Sequence, residues 1–198
     1  EVDLRLRPNG DSGLVVTSAQ ALERYLKQDA WTWEHQALVR ARVVAGAPEL
    51  VTQVEALRAE VLSTPRDDVS LADDVTAMRQ KMRDHSRAVG DASLRVALKY
   101  GRGGIVDIEF VVQYLVLKHA AHYRDVGRWS DVVRILEALE ACRILSSSDA
   151  NSLKEAYLGL RSSVHRAAVS NASDGDSVET DELMKQASAV CTRLLPNL

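Results

Sequence analysis

The spacing of hydrophobic and polar residues changes character once along this chain. Residues 1–7 alternate strictly: Val2, Leu4 and Leu6 fall on one side, and Glu1, Asp3, Arg5 and Arg7 on the other. That is the period of a strand with one buried face. Pro8-Asn9-Gly10-Asp11 is a turn signal, and it makes 14–17 the expected returning strand. From Ser18 onward the period is helical. Ser18 is placed to cap a helix ending near Gln28, a second helix is expected over 30–45 with Gly46 as its stop, and Pro48 suits the first turn of a third, ending before Pro65. Further helices are expected over 71–86 after Ser70, over 105–120, over 131–143 after Ser130, over 148–170, and from a Thr180 cap to about Leu195. Glycines 90, 101, 103 and 104 mark 87–104 as a loop, with a short strand at 94–100, and 171–177 reads as a polar linker. The segment 105–120 is apolar on nearly every side, which places it at the centre of the bundle.

These elements predict a mainly α protein, with a strand or hairpin unit over 1–17 attached to a helical bundle over 18–198. The chain enters its first strand at Glu1 without a cap. Because a lone hairpin is marginal in water, further strands upstream are expected.

Composition narrows the function classes. Of 198 residues, 46% are hydrophobic and 27% charged, with four prolines and one phenylalanine, a helix-rich globular balance. A net charge of −3 offers no basic field for a nucleic acid. No apolar run approaches the roughly 20 residues that span a bilayer, and there is no signal-peptide pattern. Cys142 and Cys191 lie far apart, match no metal spacing, and read as reduced core thiols of a cytoplasmic protein.

Three segments are candidates for chemistry. Asp3, Arg5 and Arg7 share one strand face, spaced about 6.8 Å per two residues. A carboxylate beside two guanidinium groups suits a metal–nucleotide site, since the carboxylate ligates a hard cation and arginines pair bidentately with phosphate oxygens. On spacing alone, a solvated strand face is the plainer account. The helix around Trp31-Thr32-Trp33-Glu34-His35-Gln36 carries two tryptophans, with Arg40 and Arg42 beyond, and reads as wedged between neighbours on both flanks. Gly101-Arg102-Gly103-Gly104 precedes the apolar helix, where open backbone N–H groups and the helix dipole would favour a phosphate. It is neither a Walker sequence nor a dinucleotide fingerprint. Asp107, in the first turn, would simply satisfy the dipole. Glu109 and Gln113 sit on the apolar helix and need partners, so Glu109 is expected to pair with Arg40 or Arg42 and to receive a hydrogen bond from Gln113. The histidines form no cluster beyond His119 and His122, which lack a third ligand.

Taken in order, Val2-Asp3-Leu4-Arg5-Leu6-Arg7-Pro8, Trp31-Thr32-Trp33-Glu34-His35-Gln36-Ala37-Leu38 with Arg40 and Arg42, Gly103-Gly104-Ile105-Val106-Asp107-Ile108-Glu109-Phe110 with Gln113, and Arg128-Trp129-Ser130-Asp131 resemble the bacterial glutamine-synthetase adenylyltransferase/deadenylylase family. The resemblance implies two nucleotidyltransferase halves of the polymerase-β type, each followed by a helical bundle. One half moves AMP from ATP to a tyrosine of glutamine synthetase, and the other removes it by phosphorolysis. The tryptophan motifs point to the C-terminal, adenylylating half. Asp3 would then be the third carboxylate of a Mg²⁺ triad whose first two members belong to an upstream Gly-Ser…Asp-x-Asp segment. Arg5 and Arg7, and next Arg102 with Gly103 and Gly104, would contact phosphate. The chain alone is expected to be inactive. The alternatives are a helical docking module for glutamine synthetase or a PII-type signalling protein, and the deadenylylating half.

Overall fold

The computed structural model describes residues 8, 10, 13–90, 93–170 and 177–198. The predicted strand 1–7, Asn9 and Asp11 of the turn, and all but the last residue of the 171–177 linker lie outside the described residues. The described part is helical and contains no strand.

Helix α1 (Ala19–Gln28) is capped as expected, with Ser18 Oγ accepting from the Ala21 N–H at 3.2 Å. Helix α2 (Thr32–Val39) stops six residues before the predicted end. Its terminal carbonyls, on Leu38 and Val39, accept hydrogen bonds from the Arg58 guanidinium, a partner supplied by the next helix and invisible to local propensity. Helix α3 (Pro48–Leu62) begins on its proline. Helix α4 (Asp68–Val89) starts three residues early, because the cap is Asp67 rather than Ser70, and it runs on until Gly90 adopts a left-handed conformation at φ 70°.

Residues 94–100 form a helix, α5 (Leu94–Tyr100), rather than a strand. Val96, Leu98 and Tyr100 alternate as strand residues do, but a strand needs a ladder partner. The Ser93 hydroxyl caps the segment instead, and Leu98 is buried. Leu14, Val15 and Val16, read as a returning strand, are exposed at 82%, 63% and 80% and are not in a strand.

Helix α6 (Ile105–His119) is the central element, packing against α2, α4, α5, α7, α8 and α9. A short 3₁₀ turn (Arg124–Gly127) leads to α7 (Val132–Ala141), capped by Asp131 rather than Ser130. Helix α8 (Ser147–Ser170) and helix α9 (Ser177–Leu194) close the bundle. Thr180, expected as a cap, is buried inside α9. The main core forms around α6, and a smaller cluster of Leu26, Leu57 and Val61 joins α1 to α3, with Leu38 of α2 packing against both. Both cysteines are free, and burial pushes the Cys191 thiol far up, away from the thiolate.

Candidate functional site

The first described residue, Pro8, lines a cleft of about 400 Å³ between α1, α2 and α3. Tyr25, Leu38, Leu57, Arg40 and Glu34 also face it. Glu34 is fixed twice: one carboxylate oxygen accepts from the Tyr25 hydroxyl at 2.6 Å, and the other accepts from the Trp31 N–H at 2.9 Å. Pro8 therefore lies at a wall built in part by the tryptophan-bearing helix, whose Glu34 is held by two hydrogen bonds.

That wall is tied to the bundle centre by polar pairs. Arg40 forms the expected ion pair with Glu109, although Glu109 is half-buried rather than enclosed. Glu109 also accepts from the Tyr157 hydroxyl at 3.3 Å, and Arg161 donates to the same hydroxyl at 3.1 Å. Burial raises the Tyr157 pKa and keeps that hydroxyl protonated. Gln113 does not bond Glu109. It accepts from Gln36 Nε2 at 3.1 Å in a buried amide pair between α2 and α6. Both residues turn toward α2, where Arg40 at its end takes Glu109 and Gln36 takes Gln113, so each finds its partner on the neighbouring helix rather than in the other.

The glycine loop carries a different chemistry from the one its composition suggested. Asp107 is buried, and Arg79 Nε donates to it at 2.6 Å while Arg83 donates to both its oxygens at 2.9 Å. The Gly103 N–H donates to the same carboxylate at 2.7 Å, and the Gly104 N–H donates to the Gly101 carbonyl at 3.0 Å. Both glycines are buried, so these two amides are engaged inside the protein. Gly103 holds φ +73°, and a Cβ there would lie 1.9 Å from the Met184 carbonyl oxygen. Only glycine lets the loop pass this close to α9. Arg102 alone of the motif is exposed.

The Asp107 centre was missed in the sequence, although a signal was present. Arg79 and Arg83 continue the four-residue spacing of Leu71 and Val75 down the buried face of α4. A charged residue on an apolar stripe must find an opposite charge. Arg58 is a second such case: fully enclosed, it donates to the carbonyls of Leu38, Val39, Gly127 and Trp129.

Among the described residues no three His, Cys, Asp or Glu side chains converge on a metal position. A metal reading therefore rests on Asp3, which with Arg5 and Arg7 lies outside the described residues.

A helical bundle built around a central apolar helix and held by buried arginine pairs is the class these observations define. Family models match it in tandem: that of Glutamate-ammonia ligase adenylyltransferase over residues 1–57, and that of GlnD PII-uridylyltransferase over residues 75–193. Curated relatives match across both stretches. A protein of Pseudomonas aeruginosa is 48% identical over 85% of this chain, one of Hahella chejuensis 45% over 94%, and one of Pasteurella multocida 48% over 83%. Each is named a bifunctional glutamine synthetase adenylyltransferase/adenylyl-removing enzyme. The chain belongs to that family. It spans 18%, 19% and 16% of the lengths of these relatives.

Proposed function

We propose that this chain is the helical C-terminal part of a cytoplasmic enzyme that transfers AMP from ATP to a tyrosine of glutamine synthetase. The observation that carries the reading is the 45–48% identity to relatives named for adenylyl transfer and removal on that substrate. In this reading residues 1–17 complete the nucleotidyltransferase domain, and 18–198 form the bundle behind it. Asp3 serves as one carboxylate ligand of Mg²⁺, which would supply charge neutralisation at the phosphates. Arg5 and Arg7 hold phosphate oxygens bidentately. The tyrosine oxygen attacks the α-phosphorus, and the bond to pyrophosphate breaks. The bundle fixes the strand through Pro8 on the α1–α3 cleft, and its outer surface meets glutamine synthetase and a PII-type regulator.

One carboxylate does not complete a metal centre, so the remaining ligands come from other parts of the polypeptide. The test measures AMP incorporation into glutamine synthetase by the complete polypeptide carrying Asp3→Asn. Turnover falls by about 100-fold or more with unchanged melting temperature, because an amide is a poor ligand for a hard cation. Near-normal turnover in that variant removes Asp3 from the site, and Mg²⁺-dependent transfer by the 198-residue chain alone overturns the placing of further ligands elsewhere in the polypeptide.

A further inference from the structure

Between α4 and α5 lies a cleft of about 320 Å³ lined by Gln80, Arg83, Ser86, Arg87, Tyr100 and Arg102, among others. Its charges do not cancel. Behind it, Arg79 and Arg83 share the single carboxylate of Asp107. At its rim, Arg87 meets only Asp84, at 3.7 Å on an exposed surface, and Arg102 has no ion pair with any described residue. Four guanidinium groups against two carboxylates leave a surplus of two positive charges in this cluster, three of whose arginines, Arg83, Arg87 and Arg102, line the cleft. The fully enclosed Arg79 also has one guanidinium nitrogen, Nη1, without a hydrogen-bond partner. A buried donor without a partner is costly, and so is uncompensated buried charge. An anion in the cleft would offset the surplus charge of this cluster.

We propose that this cleft is a binding site for a phosphate or phosphomonoester dianion, separate from the Asp3 strand. Two negative charges match the surplus. Arginine forks at Arg87 and Arg102, with the Ser86 hydroxyl and the Gln80 amide, offer the donors that a tetrahedral oxyanion needs. Val96, Ala97 and Tyr100 form an apolar wall on which the body of an ester would rest. The Arg83–Asp107 pair fixes the floor, and Asp107 in turn fixes the loop through Gly103. An anion here would thus draw α4, α5 and the loop before α6 together. The proposal does not depend on the AMP-transfer reading.

Calorimetric titration of inorganic phosphate and of phenyl phosphate into the chain tests it. A chelator removes divalent metal, and a pH of about 8 keeps the ester doubly ionised. One saturable site is expected, weakened about tenfold by Arg102→Gln and again by Arg87→Gln, with no change in melting temperature, since both side chains are exposed. Tighter binding of phenyl phosphate identifies an ester as the ligand, and equal binding identifies free phosphate. Absence of saturable binding of either anion in the millimolar range overturns the proposal, as does unchanged affinity in the double variant.

Discussion

Asp107 and Glu109 lie two residues apart on α6 and meet different surroundings. Asp107 is enclosed, with two arginines and a backbone N–H on its carboxylate. Glu109 keeps 19% of its side-chain surface exposed, and its partner Arg40 keeps 37%. Solvent screening therefore weakens the second pair and hardly touches the first. Asp107→Asn leaves Arg79 buried without full compensation and is expected to cost about 3 kcal/mol. Glu109→Gln is expected to cost about 1 kcal/mol. Urea unfolding of the two variants at constant slope gives the comparison, and equal midpoints would mean that burial does not set the order.

At the scale of elements, α2 shows how a distant side chain ends a helix. Residues 39–45 are acceptable helix formers, yet the Val39 carbonyl bonds Arg58, and the Leu38 carbonyl is shared between Arg58 and the Ala41 N–H of a closing turn. The same guanidinium takes the Gly127 carbonyl at the end of the 3₁₀ turn and the Trp129 carbonyl just beyond it. One cation thus compensates the negative ends of two elements, in place of a carboxylate. Arg58→Met keeps most of the volume but strands these buried carbonyls. It is expected to destabilise by about 3 kcal/mol or more, read as a fall in thermal midpoint together with faster amide exchange in 40–43. A variant as stable as the parent would show that water replaces the guanidinium at no cost.

For the molecule as a whole, two partly buried histidines contribute a dependence of stability on pH. His35 is held by the Leu26 carbonyl at Nε2, and burial depresses its pKa below the ordinary 6.5, with Arg66 adding to the effect. Burial depresses His119 as well, with Lys118 adding. The unfolded chain then binds protons that the folded chain refuses, so stability holds above about pH 6.5 and falls as pH drops through the window below it. Thermal midpoints measured from pH 7.5 to 5 should decline less steeply for His35→Gln, and an identical slope would clear His35 of the effect. Much of this architecture was legible in the chain itself. Caps at Ser18 and Pro48 fixed two helix starts, and the unbroken apolar run placed α6 at the centre. A carboxylate on that run demanded an arginine and found Arg40. These features follow from local chemistry and from the cost of burying charge, which act wherever the segment lies. The helical state of 94–100, the early end of α2, the engagement of the Gly103 and Gly104 amides and the joining of Arg79, Arg83 and Asp107 were settled only on folding. Apart from the glycine amides, whose partners Asp107 and Gly101 are local but depend on how the loop is held, each rests on a side chain or a packed surface supplied by another helix, and spacing along one segment carries no record of that.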